Sequence, residues 1–123
     1  RVVGVIPEAG SIRRNLFGPH GHESVDVPMM QLTGTKDHDG VADSWDSLAG
    51  VDTSWVQLEG ACHETFNTGL FCDTFDRDEG WRIVGAYDLA FARRHVLGDT
   101  AADVTGLVDG TRSISDKVTY RKR

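Results

Sequence analysis

Two short apolar runs, each stopping at a glycine and then delivering a titratable side chain, constrain this chain more than anything else in it. Pro28-Met29-Met30-Gln31-Leu32-Thr33 stops at Gly34 and leads through Thr35 and Lys36 to Asp37. Val56-Gln57-Leu58 stops at Glu59-Gly60 and leads through Ala61 and Cys62 to His63. Runs this short and this apolar suit strands covered on both faces, which is the habit of parallel sheets. Ligands of such sheets gather beyond the carboxyl ends of the strands. The two loops therefore deliver an acid and an imidazole to one edge, from neighbouring strands about 4.8 Å apart.

The rest of the chain alternates in the same way. Val2–Ile6 reads as a further buried parallel strand, with Pro7 ending its pairing. Such a strand needs a neighbour on each side, so the expectation is that sequence upstream of Arg1 is missing, through processing or nicking. The plainer alternative is a small domain that begins at Arg1. Residues 8–27 hold Gly10, Gly18, Pro19 and Gly21 and read as a loop with one turn of helix. Asp43-Ser44 reads as the cap of a short helix with Trp45, Leu48 and Ala49 on its apolar side. Residues 60–78 form a long loop. The strongest helical signal runs from Glu79 to Leu97, with Trp81, Val84, Leu89, Phe91 and Val96 as its apolar side. Arg82, Asp88, Arg93 and Arg94 lie towards solvent, and Gly98 is the stop. Ala101–Leu107 reads as a short helix and Lys117–Tyr120 as an extended tail. Strand–helix–strand–helix order predicts an α/β layered fold on a parallel sheet, with residues 1–123 as one unit.

Composition narrows the function classes. Hydrophobic residues at 39% and charged residues at 26% describe a globular chain. A net charge of −6 argues against nucleic acid as the partner, and Arg121-Lys122-Arg123 reads as a solvated end. No apolar stretch approaches the roughly 18 residues of a membrane span. The two cysteines, Cys62 and Cys72, flank a Gly/Asn/Thr-containing loop, which suits a disulfide and, if it forms, a secreted or periplasmic protein. Two free thiols in a cytosolic protein are the alternative.

The chemistry offered by the two loops is specific. A carboxylate that accepts from one imidazole nitrogen fixes the tautomer and leaves the other nitrogen to take a proton from a nucleophile. Asp37 is then the orienting acid and His63 the general base.

At these residues the chain resembles the α/β-hydrolase family, whose order is nucleophile, acid, histidine. Val27-Pro28 through Asp37 is similar to the family's strand and G-x-x-D acid loop. Gly60 through Phe66 is similar to its G-x-G-H-x-x-F histidine loop, with Cys62 in place of the second glycine. The long helix with Tyr87, Ala90, Phe91 and Leu97 is similar to the closing helix, and Val2–Pro7 to the strand that follows the nucleophile helix. The resemblance covers most of residues 1–100, as the C-terminal portion of the fold, and points to dienelactone hydrolase-like and polyester- or lipase-like serine esterases. It implies hydrolysis of carboxylic esters, small or polymeric, through an acyl-enzyme and with no cofactor. It also implies a serine on a G-x-S-x-G turn, which no serine of these residues satisfies. Two before and two after Ser11 stand Ala9 and Arg13, and around Ser24 stand His22 and Asp26. The partner expected is an N-terminal segment or chain that carries the serine and the oxyanion donors.

Other readings compete. Asp37 is also plausible as a turn residue, and Asp39 is its rival as the acid. His63 is also plausible as a packed loop residue. Cys62 beside His63 is a poor nucleophile, because adjacent side chains in extended backbone point apart. His20-x-His22 and Asp37-His38-Asp39 supply metal-ligand types but match no known spacing. His95 sits near a helix C-terminus, where a charged imidazole is favoured. Trp45, Trp55 and Trp81 read as packing residues; Trp45, Phe66 and Phe71 are candidates for lining a substrate pocket. Two further functions share the same residues: a non-catalytic binding domain on the hydrolase scaffold, or acyl transfer, thioester or amide cleavage by the same triad.

Overall fold

The computed structural model describes residues 1–10, 12–37 and 41–123, with the side chain of Asp43 also outside the description. Strand β1 (Met29–Gly34) pairs in parallel with β2 (Thr53–Leu58), in register from Met29 opposite Thr53 to Gly34 opposite Leu58. Strand β3 (Val118–Lys122) pairs antiparallel with the other side of β2, giving a mixed sheet of order β1-β2-β3. The architecture is a small α/β layered one, with the expected parallel pair at its centre.

Side-chain alternation explains why β1 and β2 read as continuous apolar runs. Met30, Leu32, Val56 and Leu58 pack into one cluster with the long helix, while Met29 and Trp55 pack into another with Ile12, Val41, Leu48 and Val51. Both faces are covered, so each strand position must be apolar or carry its own partner. On the second face some buried polar atoms carry partners, while Gln31 Oε1 and Thr53 Oγ1 are buried without one. Trp55 Nε1 donates to Thr33 Oγ1 at 2.9 Å, and Gln31 Nε2 donates to the Pro7 and Gly10 carbonyls.

Among the described residues, three α-helices accompany the sheet: α1 (Val41–Ser44), α2 (Arg77–Val96) and α3 (Ala102–Val108). Asp76 caps α2 by accepting from the Glu79 N–H at 2.8 Å, Asp78 and Glu79 occupy its first turn, and Arg93, Arg94 and His95 its last. That charge order complements the helix dipole. Gly98, at φ 69°, ends it in the left-handed conformation that glycine adopts most cheaply. The buried line is Gly80, Ile83, Val84, Tyr87, Ala90 and Phe91, a stripe of helical period against the sheet. Full burial of a side chain such as Ile83 contributes roughly 1.5–3 kcal/mol over leaving it in water. Helix α3 lays Val104, Leu107 and Val108 into the same layer.

Several expectations need correction. Trp81, Leu89 and Val96 do not form the packed side of α2; all three are exposed, and Arg77 stacks over the Trp81 ring. Asp88 is half-buried rather than solvated. Val2–Ile6 is neither a continuous strand nor fully buried: only Val5 and Glu8 bridge to β1, both in parallel, and Val2 and Val3 are exposed. Pro7 does not end the pairing, because its carbonyl accepts from Leu32 and the Ala9 N–H then donates to Leu32. Two 3-10 turns, Arg14–Phe17 and Gly21–Ser24, replace the single turn expected between residues 8 and 27. The short helix begins at Val41 and includes Ser44, with Ala49 exposed and Val41 buried. Most of the expected tail is strand β3, so the sheet is not wholly parallel, and the basic end is tied down. Arg121 and Arg123 lie over the Trp55 and Trp45 rings, and Arg123 pairs with Asp46 at 2.7 Å.

Candidate functional site

The carboxyl ends of β1 and β2 interlock before they deliver their side chains. The Thr35 N–H donates to Leu58 O, the Lys36 N–H to Ala61 O, and the Gly60 N–H to Thr35 Oγ1, at 3.0, 3.0 and 2.8 Å. Gly34 permits this approach, since a Cβ there would sit 2.1 Å from the Ala61 carbonyl oxygen. Gly60, at φ 83°, turns the second loop back over the first. Both glycines noticed as strand stops are therefore steric requirements of the site.

Beyond the interlock, the first loop places Asp37, whose N–H donates to Gly34 O. The second continues through Cys62, with extended backbone at φ −101°, into a 3-10 turn at His63–Phe66. A left-handed residue is not needed at Cys62. Thr65 completes a reciprocal cap: its N–H meets the Cys62 side chain and its hydroxyl accepts from the Cys62 N–H at 3.1 Å. Thr65 and Phe66 are buried and hold the turn down, while His63 faces outward at its start.

This arrangement brings His63 Nδ1 to 3.1 Å from Asp37 Oδ2. The Asp37 side chain is 11% exposed and that of His63 is 56% exposed. With Asp37 ionised, the carboxylate only accepts, so Nδ1 carries the proton and Nε2 is the nitrogen available to a proton donor. The sequence-derived pair is thus in contact, with the acid shielded and the base accessible. Asp39 and His38 lie outside the described residues.

Cys62 and Cys72 form a disulfide with a Cα–Cα separation of 5.7 Å. Neither is a free thiol, which removes Cys62 as a nucleophile. Phe66 belongs to the main core. Phe71 is 91% exposed, at φ 64°, beside an open concavity of about 510 Å³ walled by residues 69–73 and 75–78. Trp45 packs on Trp55, with ring centroids 5.5 Å apart, in the layer beneath the opposite sheet face.

His22 and His95 have other occupations. His22 is buried: Nε2 donates to the Ile12 carbonyl at 2.7 Å and Nδ1 meets Ser47 Oγ at 2.9 Å, so both nitrogens are taken. Among the described residues, no group of three or more His, Cys, Asp or Glu side chains is placed to hold a metal ion. His95 stacks on Phe91, and burial, partly opposed by Asp52, lowers its pKa, contrary to the charged imidazole expected there. No helix of the described residues is long and apolar enough to cross a membrane.

Two features have no counterpart in the sequence reading. Thr35 joins the loops through its hydroxyl; a threonine after a strand-ending glycine carries no distinctive signal. Asp88 on α2 meets Glu8 of the N-terminal segment, and its carboxyl is pushed up to about 7, first by burial and then by the Glu8 charge. Only the fold brings these two residues together. No family model and no curated protein matches this chain, so the arrangement of Asp37 and His63 stands as the main guide to its chemistry.

Proposed function

We propose that Asp37 and His63 are the orienting acid and general base of a serine esterase, within the C-terminal portion of an α/β-hydrolase fold. The single observation that carries this reading is the Asp37–His63 contact at 3.1 Å, with the imidazole accessible and the acid shielded. The parallel β1–β2 pair, the acid-before-histidine order and the interlocked loops support it. The serine, on a G-x-S-x-G turn, belongs to polypeptide outside these residues.

In the acylation step, His63 Nε2 takes the hydroxyl proton as the serine oxygen attacks the ester carbonyl. The imidazolium that forms is stabilised by Asp37 through Nδ1–H. It returns the proton to the leaving alkoxide, and the acyl group stays on the serine. Water then enters, gives its proton to Nε2, and attacks the acyl carbonyl; the same proton reprotonates the serine as the acid departs. The substrate is a carboxylic ester, and the disulfide suits secretion or a periplasmic location.

The test is to treat the protein, with any polypeptide that copurifies, with a fluorophosphonate and to follow p-nitrophenyl ester hydrolysis. A labelled serine outside residues 1–123 is expected. His63→Ala and Asp37→Asn should each lower kcat by about 10³-fold or more, while Asp39→Asn should leave it near the wild-type value. Wild-type turnover by His63→Ala would sink the proposal. A protein that takes no label and hydrolyses no ester would turn the reading to a non-catalytic domain on this scaffold.

A further inference from the structure

We propose that the Cys62–Cys72 disulfide is a positioning device for His63, so that its reduction uncouples His63 from Asp37 while the fold persists. The inference rests on the reading of His63 as the base. Cys62 directly precedes His63 and is only partly buried, whereas Cys72 is buried and belongs to the main core cluster. The bond therefore fastens the residue before the imidazole to a fixed post in the core. Downstream, Thr65 and Phe66 anchor the other end of the turn. His63 itself is more than half exposed, and among the described residues its side chain is bonded to Asp37. An imidazole with so little packing of its own takes its position from its backbone.

The remainder of the loop does not supply that hold. Asn67 and Gly69 donate to the Glu64 carbonyl, which curls the chain locally without tying it to the sheet. Thr74 Oγ1 donates to the Gly60 carbonyl at 2.6 Å and fixes the loop before Ala61, on the upstream side of Cys62. The parallel pairing of β1 with β2 and the backbone of α2 form without a contribution from the bridge, although Cys72 and Cys62 both pack on the main cluster. Opening the disulfide removes the covalent tie at the start of the turn, leaves the Cys62–Thr65 cap and the Lys36–Ala61 bond as its remaining holds, and keeps the sheet and helix contacts in place. A dithiol reductant supplies the two electrons and two protons: the S–S bond becomes two thiols and the dithiol closes to a cyclic disulfide.

The experiment is ¹⁵N–¹H NMR of the imidazole Nδ1–H, with His63→Gln assigning the signal, on oxidised protein, on protein reduced by a dithiol, and on the double variant Cys62→Ala/Cys72→Ala. Oxidised protein should show His63 as the Nδ1–H tautomer with a slowly exchanging proton. Reduction and the double variant should each abolish that proton signal, reoxidation of the reduced protein should restore it, and far-UV circular dichroism should not change. Where ester hydrolysis is measured, kcat should fall about tenfold or more with KM changed less than about twofold. An unchanged Nδ1–H signal after reduction overturns the proposal, and so does loss of the whole fold, which would make the bridge a global staple. Asp37→Asn separates the two questions, since it should remove the signal in either redox state. Redox-dependent signal without any ester hydrolysis would sink the esterase reading and leave the positioning role standing.

Discussion

Strand β1 has a parallel neighbour on each side, and the two are built differently. On one side, β2 pairs through the full register and the loops beyond it are cross-linked by three hydrogen bonds. On the other, the N-terminal segment touches β1 at two isolated bridges, interrupted at Pro7, with Val2 and Val3 in solvent and Glu8 set against Asp88. Both sides read as strands from their apolar residues. What separates them is the backbone: the β2 side keeps its donors and its close-packed glycine, while the other side carries a proline without an N–H and two facing carboxyl groups, Glu8 and Asp88. Rigidity lies where the candidate chemistry lies, as positioning of an acid–base couple requires.

The largest test of this contrast is a pair of glycine substitutions. Gly34→Ala drives a Cβ into the Ala61 carbonyl, 2.1 Å away, and backbone cannot yield without breaking the interlock. Gly4→Ala, on the loose side, meets the Phe91 ring at 2.8 Å, and a side chain can swing aside. Urea denaturation should show a loss of about 3 kcal/mol or more for Gly34→Ala and about 1 kcal/mol for Gly4→Ala. Equal losses would mean that the two sides are equally rigid.

A finer cut removes one bond of the interlock. Thr35→Val keeps the shape and leaves the Gly60 N–H without its acceptor at 2.8 Å. The expected cost is about 1–2 kcal/mol, with faster amide exchange at Gly60 and Lys36 and unchanged exchange at Ala9. Exchange that quickens everywhere would assign Thr35 a role in global stability instead of in the loop junction.

How much of this was legible in the sequence follows from what holds each part together. The strands β1 and β2, the glycine stops and the Asp37–His63 pair are written in local pattern and chain order, and the spacing of the cysteines suggested their bridge. The packed face of α2 was not, because Trp81, Leu89 and Val96 are as apolar as Ile83, Tyr87 and Phe91, and only the sheet decides which stripe is covered. Strand β3 does not read as a strand from its sequence, since Thr119, Arg121 and Lys122 are polar. Its place comes from pairing with β2, from Tyr120 donating its hydroxyl to the Val108 carbonyl, and from arginines stacked on tryptophans. Burial pushes the Tyr120 hydroxyl up to about 12, a perturbation that only the packed structure creates.

The smallest predicted effect concerns the loose side alone. Asp88 keeps its proton in the folded protein up to about pH 7, because burial and then the Glu8 charge disfavour its anion, whereas the unfolded chain gives the proton up near 3.8. Between those values the native state binds more protons than the unfolded state, so this group makes stability fall as pH rises from about 4 to 7. Asp88→Asn removes that slope and should raise Tm at pH 7.5 by about 2–5 °C, with little change at pH 4. Glu8→Gln removes the second cause and leaves burial, so its gain should be smaller. In the wild-type protein the amide of Ala9, which pairs with Leu32, should exchange faster at pH 7.5 than intrinsic base catalysis predicts, while that of Lys36 should not. If the stability difference between wild type and Asp88→Asn is flat from pH 4 to 8, the Glu8–Asp88 contact does not loosen this side. The contrast between the two neighbours of β1 would then rest on Pro7 and the missing backbone donor alone.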